Sequence, residues 1–173
     1  PAAAANPKRC EGWLSLFKDA ALTLPCTRFD GTHTNCWDVI DALAIHAYAR
    51  SATEVTAKVD AYLDEFADDM SGSHGRSPKT LWLTEVAAAT HDAAAVVAFA
   101  QGLMSPHGGL ADRAKYGAVS HVSWFSEWFF PAFNVSGVPS RENEMWVSSL
   151  FQPFGGLTKV GEAFFAGCAK AKK

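Results

Sequence analysis

Apolar residues recur at helical spacing near the start of the chain. Trp13, Leu14, Phe17, Ala20, Ala21 and Leu24 fall on one stripe, and Pro25 cannot continue the turn. The spacing predicts a helix over 11–24, then a polar loop through Gly31 and Asn35. The period changes in Val39-Ile40-Asp41-Ala42-Leu43-Ala44-Ile45-His46-Ala47-Tyr48. A near-continuous apolar run of this length predicts a strand covered on both faces, which favours a parallel sheet. Val39, Leu43 and Ile45 supply bulk, while the small Ala42 and Ala44 lead up to His46 and Tyr48. Ser51-Ala52-Thr53-Glu54 then has capping-box spacing and opens a helix to about Met70. Its buried stripe is Val55, Val59, Tyr62, Leu63 and Phe66, with Asp60, Asp64, Asp68 and Asp69 largely outside it.

Ser71-Gly72-Ser73-His74-Gly75 reads as a flexible link, and Ser77-Pro78 breaks whatever precedes the next strand. That strand, Leu81-Trp82-Leu83-Thr84-Glu85, is a short apolar run ending in a carboxylate. Strict alternation places Leu81, Leu83 and Glu85 on one face. Asp92 caps an Ala-rich helix through Met104, which Pro106-His107-Gly108-Gly109 ends. A third strand, Gly117-Ala118-Val119-Ser120-His121-Val122-Ser123-Trp124, runs into the aromatic Phe125-Ser126-Glu127-Trp128-Phe129-Phe130-Pro131. A short helical piece is expected over 145–150 and a final helix over 158–170. Strand and helix alternating three times predict repeated βαβ units, hence an α/β fold in a single domain over 1–173.

Composition narrows the possible functions. Of 173 residues, 49% are apolar and 12% aromatic, enough for a real core. The net charge of -3 comes with interspersed signs and no basic stripe, which argues against nucleic acid as a partner. Lys170-Ala171-Lys172-Lys173 reads as a solubilising tail. No apolar run approaches a membrane span, and no signal peptide is visible. Cys10, Cys26, Cys36 and Cys168 lack zinc-site spacing, so neither a metal nor another cofactor is expected. Cys26 and Cys36 bracket the polar loop and either form a disulfide or stay as free thiols. A bridge would point to an oxidising compartment, extracellular or cell-wall.

The strand tips carry the candidate chemistry: His46 and Tyr48, then Glu85, then Trp124. In parallel neighbours such tips share a rim, where α/β enzymes keep their sites. Aromatic rings beside a carboxylate suit a sugar. Each residue also has a plainer reading. Glu85 caps a helix or pairs with a cation, His46 and Tyr48 are satisfied rim residues, and Trp124 to Phe130 are core or interface. No nucleophile elbow, dinucleotide loop, Walker loop or His-Glu-x-x-His motif is present.

The strand over 39–48, Leu81-Trp82-Leu83-Thr84-Glu85, Val122-Ser123-Trp124-Phe125 and Gly156-Leu157-Thr158-Lys159-Val160-Gly161 resemble successive blocks of glycoside hydrolase family 128. These glycosyl hydrolase catalytic cores act on β-1,3-glucans, and the likeness spans roughly residues 10–168. The resemblance implies a TIM (β/α)₈ barrel with retaining chemistry by two glutamates, ending strands four and seven. Glu85 matches the strand-seven nucleophile. His46 and Tyr48 match the sixth-strand rim, and Trp124 the eighth-strand aromatic under the sugar. Phe125 and Trp128 extend that aromatic surface, and the resemblance implies a cis Trp124–Phe125 peptide.

The chain departs from the pattern in one respect: it has no Asn-Glu-Pro motif for the acid/base glutamate. Asn6-Pro7 is not one, and Glu11 opens a surface helix. The expectation is therefore the C-terminal portion of a barrel, roughly strands six to eight with their helices. Its partners would be β-glucan and the missing N-terminal half, and alone it would be inactive. Two other readings stand beside this one. The chain is a non-catalytic carbohydrate-binding or wall-associated protein, or a structural subunit whose Trp/Phe segment meets another chain.

Overall fold

The computed structural model describes residues 12–73, 76–90, 92–125, 150 and 156–170. The first helix, α1 (Trp13–Thr23), forms as its spacing predicts, but its apolar stripe is only half used. Leu14 and Ala21 are buried, while Trp13 stays 59% exposed and Leu16, Phe17 and Leu24 are also exposed. The contact is narrow because the helix rests on a ring stack. Phe17 meets Trp37 edge-on at 6.2 Å, and Trp37 lies 6.1 Å from Phe66.

The expected loop contains a hairpin, β1 (Pro25–Thr27) against antiparallel β2 (His33–Asn35). Three-residue strands are too short to show a period. A disulfide joins Cys26 to Cys36 with S–S 2.03 Å. The strand expected from Val39 begins later, since Trp37–Val39 forms a 3-10 turn. Local bonding explains the delay: the Asn35 side chain accepts from the Asp38 amide and donates to Asp38 Oδ2, both at 2.9 Å.

Three parallel strands follow, β3 (Ala42–Ala49), β4 (Thr80–Ala88) and β5 (Val119–Trp124), with β4 in the middle. Between them lie α2 (Ala52–Glu65), α3 (Ala67–Ser71) and α4 (Ala93–Leu103), and α5 (Lys159–Lys170) follows β5. Both predicted N-caps form. Ser51 Oγ accepts the Glu54 amide at 3.3 Å, and the Glu54 carboxylate accepts from Arg50 N–H. Asp92 Oδ1 accepts from the amides of Ala94 and Ala95.

The helix expected to run to Met70 breaks at Phe66, whose φ of −110° and ψ of 26° leave the helical range. Burying the Phe66 ring offsets the break, and α3 ends on Gly72 at φ +72°, a left-handed position that suits glycine. Asp69, three residues along the same stripe from Phe66, is 2% exposed and not on the outer face. Asp69 accepts from Trp37 Nε1 at 2.7 Å and Lys18 Nζ at 2.6 Å. Beside it Lys79, 4% exposed, donates to the carbonyls of Trp37 and Ile40. Burial pushes the Lys79 ammonium below its usual 10.5.

One sheet face carries Leu43, Ile45, Leu81, Leu83, Val86 and Val119 against the helices, in a core with Val59, Val96, Phe99 and Phe164. The other face differs from the two-sided burial that the sequence predicts. Ala44, His46, Tyr48, Trp82 and His121 are exposed on it among the described residues. A strand's apolar composition shows that it tolerates burial, not that both sides are buried. Within the described residues β3 and β5 each pair on one side only. The helical piece expected over 145–150 and the aromatic run over 126–131 fall outside the described residues, save Leu150.

Candidate active site

Glu85 does not share a face with Leu81 and Leu83, because β4 carries one extra residue at this point. Ile45 pairs with Leu83, but the next residue of β3, His46, pairs with Glu85, so Thr84 is skipped. The β5 register slips at the same place, between Leu83 and Val86. A β-bulge re-aims the side chains beyond it. Leu81, Leu83 and Val86 therefore stay under the helices while Glu85 moves to the open face.

On that face the carboxylate meets the groups expected of β3. Tyr48 Oη donates to Glu85 Oε2, and His46 Nδ1 lies 3.3 Å from the same oxygen. Side-chain exposure of 56% for His46 and 34% for Glu85 leaves both reachable from solvent. An ion pair this wet adds only about 0–1 kcal/mol when His46 is protonated. What it fixes is orientation, because two β3 side chains converge on one oxygen of Glu85.

The aromatic groups divide. Phe125 sits beside Tyr48, with ring centroids 5.7 Å apart and edge-on, and its amide donates to Val86 O at 2.8 Å. The Trp124 ring packs instead against Phe99 of α4 and Phe164 of α5, at 5.8 and 5.5 Å. The reason is register: Trp124 pairs with Val86, a helix-facing residue, so its ring follows the same face. Sequence reasoning placed Trp124 at the rim; the structure brings Phe125 there. Trp128 lies outside the described residues. The Trp124–Phe125 peptide is trans, which corrects the cis expectation.

Three features were not anticipated. Trp82 stands exposed on the open face, 5.3 Å from the His121 ring, and His121 Nε2 bonds Ser123 Oγ at 2.7 Å. A cavity of about 460 Å³ runs along the outer edge of β3, lined by Trp13, Ala44, His46, Tyr48, Lys58 and Tyr62 among others. Lys58 Nζ donates there to His46 O at 3.1 Å. The third feature is the bulge itself, and its signal was present in the sequence. The bulky apolar positions 81, 83 and 86 step by two and then by three, a slip that strict alternation cannot produce. Among the described residues no group of three or more His, Cys, Asp or Glu is placed to hold a metal ion. No described helix is long and apolar enough to cross a membrane.

Parallel strands alternating with helices, with a hydrogen-bonded carboxylate at the outer end of the central strand, define the class of α/β proteins that keep their chemistry at C-terminal strand ends. Residues 1–164 match the family model described as glycosyl hydrolase catalytic core, and the chain belongs to that family. No curated protein and no solved structure matches the chain.

Proposed function

We propose that Glu85 is the nucleophile of a retaining glycosidase site acting on β-glucan, most simply a β-1,3-linked one. The observation that carries this reading is the pair of contacts on Glu85 Oε2, from Tyr48 Oη and His46 Nδ1, on an open sheet face. The two contacts hold one carboxylate oxygen in place, and a carboxylate is a group that can attack an anomeric carbon. One Glu85 oxygen adds to the anomeric carbon as the glycosidic C–O bond breaks. A second carboxylic acid protonates the departing oxygen, and water later releases the sugar.

That acid must lie about 5–5.5 Å from Glu85 in a retaining site. The chain has no Asn-Glu-Pro motif, so we assign the acid to the N-terminal half of a barrel that pairs with the outer edges of β3 and β5. The part described by this chain corresponds to strands six to eight. General acid catalysis is worth about 10²–10⁴-fold, so the chain alone leaves unactivated glucan essentially uncut. The Cys26–Cys36 bridge fits an extracellular or cell-wall setting.

An aryl glycoside with a very acidic phenol as leaving group needs no protonation, and it tests Glu85 without the missing partner. Incubating the chain with the 2,4-dinitrophenyl glycoside of a β-1,3-linked disaccharide should yield a glycosyl ester on Glu85 by peptide mass spectrometry. Glu85→Gln should yield none. The exposed rings of Trp82 and Tyr48 favour a second reading, a carbohydrate-binding protein without catalysis. That reading gains if the chain binds β-glucan with no adduct and Glu85→Gln binds equally well. Neither adduct nor binding would sink both.

A further inference from the structure

We propose that Thr84 is a positioning residue for Glu85, a role that rests on the nucleophile reading above but is tested without it. Thr84 is the residue that β4 has in excess of β3, and the β5 register slips across the same step. Were Thr84 paired regularly instead of bulged, alternation from Leu81 and Leu83 would send the Glu85 carboxylate under the helices, where Val86 now packs. Thr84 also ties the bulge down. Its Oγ1 donates to Ile45 O at 3.5 Å, a long bond, and Ile45 is the last residue of β3 before the register shifts. The branched side chain suits an extended backbone, and its hydroxyl bonds a neighbouring strand where ladder pairing is interrupted. The effect passes along the strand: Thr84 fixes the turn of the backbone, and Glu85 then meets Tyr48 and His46.

The experiment compares Thr84→Val, which keeps shape and branching but loses the hydroxyl, with Thr84→Ser, which keeps the hydroxyl. The readout is the nuclear Overhauser effect between the Tyr48 ring protons and Glu85 Hγ in isotope-labelled protein. A typical net hydrogen-bond contribution corresponds to about fivefold in the equilibrium constant between bonded and released Glu85, so the signal should fall in Thr84→Val, by up to about that factor, and persist in Thr84→Ser. Thermal melting reports the fold separately, and a role confined to stability would lower it while leaving the Tyr48–Glu85 signal intact in the folded fraction. If Thr84→Val does not fold, Thr84→Ala is read in the same way. A full Tyr48–Glu85 signal without the hydroxyl overturns the proposal, and so does its disappearance in Thr84→Ser. Neither result depends on sugar cleavage. A weakened signal in Thr84→Val alone upholds the positioning role even if the glycoside leaves no adduct.

Discussion

At the N-terminal end of β4, Lys79 and Asp69 are almost wholly buried, and at its C-terminal end Glu85 is a third exposed. The buried pair is saturated with partners. Asp69 takes Trp37 Nε1 and Lys18 Nζ and faces Arg76 at 3.8 Å, while Lys79 fills two carbonyls. Glu85 has two side-chain neighbours on one oxygen and solvent beyond. Burial makes a charge depend on every partner, whereas exposure makes it replaceable in folding and available to a ligand. One strand thus carries a structural end and an open end.

The most severe way to break this contrast is Asp69→Ala. It leaves the Trp37 N–H unpaired in the interior and removes the carboxylate whose charge offsets the buried Lys79 ammonium, and losing one partner of a buried charged pair costs about 3–5 kcal/mol. Urea unfolding should show that loss, and a cost below about 1 kcal/mol would remove the distinction between the ends. Next in size is the hairpin that supports Trp37. Cys26 and Cys36 are 10 residues apart, and opening so short a loop by replacing both with Ser should cost about 2–4 kcal/mol. Adding reductant to the wild type should produce the same shift in the unfolding midpoint.

How much of each end was legible follows from the same difference. Three parallel strands were visible because Leu43, Ile45, Leu81, Leu83 and Val119 repeat the strand pattern with helical segments between. His46, Tyr48 and Glu85 were gathered correctly because strand tips in parallel neighbours share a rim, a consequence of topology. The face of Glu85 was missed because alternation was extended through a bulge. Trp124 was misplaced because its aromatic character was weighed above its period. Two residues from Val122, it follows the helix-facing side. Asp69 was misread for another reason. Three residues beyond Phe66, it falls on the margin of the same 3.6-residue stripe, and its charge outweighed its spacing in placing it outside.

Lys79 sharpens the contrast through pH. Its folded pKa lies below the unfolded 10.5, chiefly from desolvation, so between those two values the unfolded chain holds more protons. Stability from this group therefore rises as pH climbs through the folded value towards 10.5, and the burden of burying the charge is fully present below that window. Lys79→Met lacks the titration. The difference between wild type and variant in urea midpoints, taken from near neutral to about pH 10, should move in favour of the wild type. A flat difference would mean that the two carbonyls and Asp69 compensate the buried charge completely.

The smallest expected effect on folding is at the open end. Glu85→Gln keeps the shape and the acceptor oxygen for Tyr48 Oη, and removes only a charge that solvent already screens. Its unfolding midpoint should match the wild type to within about 0.5 kcal/mol. The same change should abolish the covalent adduct, since a carboxamide is too weak a nucleophile to displace even an activated phenol. A large loss of stability in Glu85→Gln would mean that the His46–Tyr48–Glu85 cluster holds the sheet together. The open face would then be a second structural end, and the case for chemistry at the tip of β4 would lose its footing.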